Sequence, residues 1–93
     1  MALDVKLESV HSRFVAVIDG KECELDFRKK GDNVLEYFHT YVPPELRGHG
    51  VAGEILEHAL IYAKENKMKV LPTCPYVADY IDKHPKWRFI VAD

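Results

Sequence analysis

The residues able to do chemistry in this 93-residue chain fall in three places: the run Arg47-Gly48-His49-Gly50-Val51-Ala52-Gly53, the thiol of Cys74 and the imidazole of His39. The glycine run leads into apolar residues at Ala52, Ile55, Leu56, Ala59, Leu60 and Ala63, a spacing of i, i+3, i+4, i+7, i+8 and i+11 that lies on one helical face. The glycines therefore stand where a helix begins. No Ser, Thr, Asp or Asn lies between Gly48 and Gly53 to accept the first backbone N–H groups. Gly48 and Gly50 let the chain bend tightly and let a ligand come close to the backbone. Unsatisfied donors, the positive end of the helix dipole and the Arg47 guanidinium point to an anion, a phosphate before others. Against this, glycine is itself an acceptable N-cap and Glu54 can answer the dipole, in which case the run is only a turn.

Cys74 follows a strand-like run and precedes Pro75, which can open a helix. Amide dipoles there could make its thiol reactive, as a nucleophile or a proton donor. The alternative is a small residue lining a pocket. His39 lies on a strand between Tyr37 and Tyr41. Imidazole is the side chain that trades protons near neutrality, so His39 is either a base or a histidine packed between the two rings. Cys23 alternates with Leu25 and Phe27 and reads as core.

Residues 5 to 42 predict an antiparallel meander. A short strand at Val5–Glu8 is followed by Arg13–Ile18, the hairpin signal Asp19-Gly20 and an alternating strand from Lys21 to Arg28. After the turn Lys29–Asn33, the strand to Val42 places Leu35, Tyr37, His39 and Tyr41 on one face and Val34, Glu36, Phe38 and Thr40 on the other. Both faces are partly apolar, which predicts cover on both sides. Pro43-Pro44 ends the strand. A helix over residues 51 to 66 should stop near a left-handed Asn66. Met68–Cys74 predicts a strand parallel to the central one, joined to it by a right-handed crossover. A helix from Tyr76 to Lys83 stops at His84-Pro85. Trp87–Val91 is a last strand or an anchored tail.

The composition, 47% hydrophobic and 30% charged, is that of an ordinary globular chain. A formal charge of −2 argues against a nucleic-acid partner held by a basic surface. No apolar run approaches the ~20 residues needed to cross a bilayer. Met1-Ala2-Leu3-Asp4 has neither the basic nor the apolar region of an export signal, and the two distant cysteines read as reduced thiols, so a cytoplasmic location is expected. The scattered histidines predict no metal site.

Among phosphate sites, Gly48-x-Gly50-x-x-Gly53 fits the dinucleotide fingerprint literally, but five residues separate the strand from the first glycine and no acidic residue ends the next strand. No Gly-Lys-Ser/Thr is present for a Walker loop. A coenzyme A pyrophosphate site is the third reading. Arg47-Gly48-His49-Gly50-Val51-Ala52 matches the R/Q-x-x-G-x-G/A acyl-CoA motif, and the chain resembles the small single-domain GNAT-like proteins of the N-acetyltransferase superfamily. Asp19-Gly20-Lys21, His39-Thr40, Val42-Pro43-Pro44, Cys74-Pro75-Tyr76-Val77, Tyr80-Ile81 and His84-Pro85 carry the rest of the likeness.

The resemblance implies an α/β chain, residues 1–93 forming one minimal GNAT-like domain with a mixed sheet: an N-terminal antiparallel meander, then strand, helix, strand, helix. It implies acetyl-CoA or coenzyme A as cofactor. The amides of Gly48, His49, Gly50, Val51 and Ala52, with Arg47, would hold the pyrophosphate, and backbone near Tyr41 and Val42 would pair with the pantetheine arm. The thioester would point toward His39, as base, and Cys74, as nucleophile or acid. Tyr76, Tyr80 and Lys83 would contact adenosine or phosphate. GNAT enzymes commonly have Asn where Cys74 stands, and Asp82 falls near their Tyr acid. The implied activity is N-acyl transfer to an unidentified amine, small molecule or protein, by a monomer without membrane or nucleic-acid partners. The alternative is a CoA-binding module, self-acylating or without turnover.

Overall fold

A computed structural model describes residues 3–92. Met1, Ala2 and Asp93, which the single-domain and export readings include, lie outside them. Strands β1 (Lys6–Glu8), β2 (Arg13–Ile18), β3 (Lys21–Lys29) and β4 (Val34–Tyr41) form the antiparallel meander. Helix α1 (Val51–Glu65) then crosses over to β5 (Lys69–Pro72), which pairs with β4 in parallel. Helix α2 (Pro75–Lys83) and a 3-10 stretch (Pro85–Ile90) complete the chain. The sheet order is β1-β2-β3-β4-β5, a mixed α/β sheet as the sequence predicts.

Local signals work as expected where the physics is local. Asp19 and Gly20 both take positive φ, 52° and 75°, the geometry that suits the twist of a two-residue hairpin. Along β3, Cys23 and Leu25 are fully buried on the face that meets α1. Ile55, Leu56, Ala59, Leu60 and Ala63 are fully buried on the helix, with Val51 rather than Ala52 completing the stripe. Tyr37 reaches across this interface, its buried hydroxyl donating to the Ala59 carbonyl at 2.6 Å.

The expected alternation of β4 is corrected by a bulge. Phe27 pairs with Tyr37, whereas Asp26 pairs with His39, so Phe38 is an extra residue on β4. One unpaired residue inverts the sides of everything after it. Thr40 therefore stands beside core-facing Leu25, on the same face as Tyr37. His39 and Tyr41, expected to share that face, stand opposite Asp26 and Glu24 on the other and are exposed. The expected cover on both faces is corrected as well. Both helices lie on one side, joined by the Tyr80–Glu57 hydrogen bond. On the outer side, Glu36 is buried by side chains instead, with Thr73, Arg28 and Lys30 around its carboxylate.

The end of α1 differs by one residue from expectation. Lys67, at φ 57°, is left-handed in place of Asn66, and Met68 N–H returns to the Ala63 carbonyl at 2.8 Å. This closes the helix by the usual six-to-one bond. The C-terminal stretch is an anchored tail: Trp87 and Ile90 are buried, Val91 bridges Val70, and Ala92 N–H donates to the Val70 carbonyl at 2.8 Å.

Tyr37→Phe tests the strand–helix tie. It should cost about 1 kcal/mol and lower the melting temperature by roughly 5 °C, read by denaturant titration and thermal melts. An unchanged midpoint would show that the hydroxyl contributes nothing net.

Candidate active site at the splayed strand end

The chain leaves β4 through Pro43 and a 3-10 turn, Pro44–Leu46, closed by Leu46 N–H to the Pro43 carbonyl at 2.9 Å and Arg47 N–H to the Pro44 carbonyl at 3.3 Å. Gly48 and Gly50 then take φ of 83° and 79°, the left-handed region that only glycine enters freely. Gly50 is the N-cap of α1, and no side chain among the described residues caps the helix. Glu54 is the first amide of α1 with an acceptor, the Gly50 carbonyl at 3.1 Å. The N–H groups of Val51, Ala52 and Gly53 have none among the described residues.

These amides open into a cleft of about 340 Å³. Its walls are Val42 and Leu46 from the strand end, Arg47, Gly48 and Gly50 from the loop, the first turn of α1, and Tyr76 from α2. A Cβ built on Gly48 or Gly50 meets nothing within 4 Å. The glycines are thus required by backbone angle, and the space above them is open to a ligand. Arg47 is held at the mouth by its Nε, which donates to the Val42 carbonyl at 2.8 Å. A diphosphate fits this donor set: free amides, a helix dipole and a cation facing unfilled space.

Beyond the cleft the sheet splays. Pairing of β4 with β5 ends at Tyr37 and Pro72, and Cys74 N–H takes the Tyr37 carbonyl at 3.1 Å. From Phe38 to Tyr41 no strand among the described residues pairs with β4 on the β5 side. Cys74 sits at this fork as the N-cap of α2, buried, with Sγ 3.5 Å from Thr40 Oγ1. His39 borders the same gap from the outer face. The structure therefore brings Cys74 to Thr40 and leaves His39 and Tyr41 across the sheet. Sequence reasoning missed Thr40 because strict alternation assigns it to the wrong side. Beside His39, Glu24 and Asp26 crowd each other. The neighbouring Asp26 carboxyl first, and then burial, raise the pKa of the Glu24 carboxyl, against the pull of Arg13 and His39.

The GCN5-related N-acetyl-transferase family model matches residues 13–90, from β2 to the last residue of the 3-10 stretch. The chain belongs to the GCN5-related N-acetyltransferase family. Protein NATD1 of Gallus gallus is 28% identical over 86 residues, covering 92% of this chain and 70% of that protein. Protein NATD1 of Homo sapiens is also 28% identical, covering 92% and 68%. A GCN5-like protein of Staphylococcus aureus, solved by NMR in solution, superposes with a TM-score of 0.77 over 97% of this chain and 88% of that one, at 24% identity. That likeness shows a shared fold.

In this member of the N-acetyltransferase family, α2 makes the far wall of the cleft. The two helices come close at Gly53, where a Cβ would make ordinary van der Waals contact with the Tyr76 hydroxyl at 3.5 Å and the Tyr80 ring at 3.7 Å. Tyr76 lines the cleft, and burial first, then Asp79 and Cys74, raise the pKa of its phenol. Tyr80 points elsewhere: its hydroxyl donates to Glu57 Oε2 at 2.6 Å, and its ring stacks on His84 at 3.9 Å. Lys83 is exposed and pairs with Asp79 at 3.0 Å, and neither it nor Tyr80 lines the cleft. His49 is exposed on the loop and is not part of the lining either.

Glu57 gathers three donors, Tyr80, Trp87 Nε1 at 3.2 Å and Lys86 Nζ at 3.1 Å, and so ties α1 to α2 and the tail. Burial alone would raise its carboxyl, but these hydrogen bonds outweigh it and hold the pKa below the ordinary 4.5. A depressed carboxylate contributes stability that is fully present above its unfolded pKa and lost as pH falls through the folded one. Glu57→Gln should therefore be less stable than wild type at neutral pH, with the difference shrinking at acid pH. Denaturation midpoints at neutral pH and well below pH 4.5 check this. A difference that is constant with pH would contradict the charged role.

Proposed function

We propose that this chain, taken as one domain over residues 1–93, is an acyl-CoA-dependent N-acyltransferase that uses acetyl-CoA and acts on an unidentified amine. The observation that carries the reading is the uncapped start of α1, whose free amides face an open cleft at the end of a strand with an unpaired edge. Membership in the N-acetyltransferase family supports the reaction class.

Acyl-CoA supplies an activated thioester. The amides of Gly48 to Ala52 and the Arg47 guanidinium bind its diphosphate, Tyr76 borders the same cleft, and the strand end at Tyr41 and Val42 orients the arm. From Val42 to Thr40 is two residues, about 7 Å along a strand. Acyl transfer needs a base for the attacking ammonium and a proton for the departing thiolate. His39 fits the base, since it borders the gap from the open outer face where an acceptor can arrive. Cys74 fits the group that meets the sulfur, as acid or nucleophile, from the helical side. The acceptor, a small molecule or a protein, approaches a monomer in the reducing cytoplasm.

Coenzyme A should bind with about micromolar affinity, roughly −8 kcal/mol, and raise the melting temperature by linkage. NAD and ATP should bind far more weakly, because they lack the arm that lies along β4. Gly50→Glu should abolish binding by placing a carboxylate over the free amides in a left-handed position. Calorimetric titration of the three ligands decides it. Equal affinity for all three would mean a general anion site and would remove the acyl-transfer reading.

A further inference from the structure

We propose that Thr40, rather than His39, sets the state of the Cys74 thiol: its hydroxyl positions Sγ and donates a hydrogen bond to it whenever Cys74 is a thiolate. The functional meaning of the pair rests on the acyl-transfer reading, while the pairing itself rests on geometry. Oγ1 and Sγ come from residues 34 positions apart and meet at 3.5 Å. Cys74 has no other side-chain hydrogen bond among the described residues.

Three features fix the meeting. The Phe38 bulge turns Thr40 to the face of Leu25 and Tyr37, where alternation would have put His39. The Cys74 main chain is pinned from both sides, its N–H to the Tyr37 carbonyl at 3.1 Å and its carbonyl to Ala78 N–H at 3.0 Å. Thr40 is β-branched and stiff at χ1, so its hydroxyl keeps to few positions.

A hydroxyl carries one donor and two acceptor sites and rotates to suit its partner. The Cys74 thiol can donate to Oγ1. The thiolate has no proton and can only accept, so the same hydroxyl turns its O–H toward Sγ, and the bond becomes charge-assisted. Both roles open to Cys74 use that thiolate. As acid, Cys74 passes its proton to the leaving sulfur and keeps the electron pair on Sγ. As nucleophile, the thiolate forms the bond to the acyl carbon while the thioester carbon–sulfur bond breaks, and the departing thiolate takes a proton from solvent. Cys74 is only 7% exposed, so water does little to solvate the charge and the Thr40 donor matters. Thr40 touches neither the acyl group nor the leaving sulfur and acts through Cys74 Sγ. It is a positioning residue.

The test is the rate at which iodoacetamide alkylates Cys74 in the whole protein, resolved by peptide mass spectrometry and followed from neutral to alkaline pH. Thr40→Ser keeps the hydroxyl and should superimpose on wild type. Thr40→Val and Thr40→Ala should react about tenfold more slowly at neutral pH, with the profile moved to higher pH. Cys23, 0% exposed, is the internal control and should stay unreactive throughout. Where Thr40→Val releases Cys23, the smaller Thr40→Ala decides alone. Profiles of the hydroxyl-free variants that overlie wild type overturn the proposal. Coenzyme A should slow alkylation in every variant. An intact Thr40 shift without that protection would support the pair and count against the cofactor reading.

Discussion

Side chains on a strand alternate between two faces, so one extra residue exchanges every side chain beyond it. Phe38 is that residue, and its position sets most of the geometry at the strand end. Before it, β4 is paired on both edges, with β3 and with β5. After it, β4 keeps β3 and has no β5 partner, because β5 stops at Pro72 and Cys74 turns away to start α2. The opening of the sheet, the meeting of Thr40 with Cys74 and the outward placement of His39 are one event in the backbone.

The second half of the site depends on bonds the backbone leaves unmade. A helix start needs acceptors for its first amides, and α1 has Gly50 at its cap position in a left-handed conformation. Arg47 stands near the Glu45 carboxylate. Its Nε braces the loop against the Val42 carbonyl, which holds the guanidinium at the cleft mouth. The opposite wall is Tyr76, whose hydroxyl lies close to Gly53 in the first turn of α1. Behind it, Glu57 fixes α2 and the tail through three donors. The cleft is thus bordered by two helix starts and a strand end, each held by contacts outside it.

What was legible in the sequence was what depends on neighbours along the chain. The Asp19-Gly20 hairpin, the alternation of Cys23 and Leu25, the apolar stripe of α1 and the glycines before it all show periodicity or turn chemistry within a few residues. The glycine loop proposed to hold a diphosphate belongs to this class. The bulge does not, because an extra residue on β4 is defined only by its register with β3. With it went the sides of His39, Thr40 and Tyr41. The Tyr80–Glu57 bond spans 23 residues and took a proposed ligand contact away from the cleft. The open outer face was equally hidden, since Glu36 is buried by Arg28, Lys30 and Thr73 and needs no covering helix.

The claim on which the rest stands is that the first amides of α1 bind the diphosphate of coenzyme A. Amide chemical shifts resolve this residue by residue, by titrating the labelled protein with coenzyme A and, in parallel, with pantetheine, which has the arm but no diphosphate. Gly48 to Gly53 should shift strongly with coenzyme A and hardly at all with pantetheine, while β4 residues near Val42 should respond to both. Amides of Gly48 to Gly53 that stay still at saturating coenzyme A would contradict the claim.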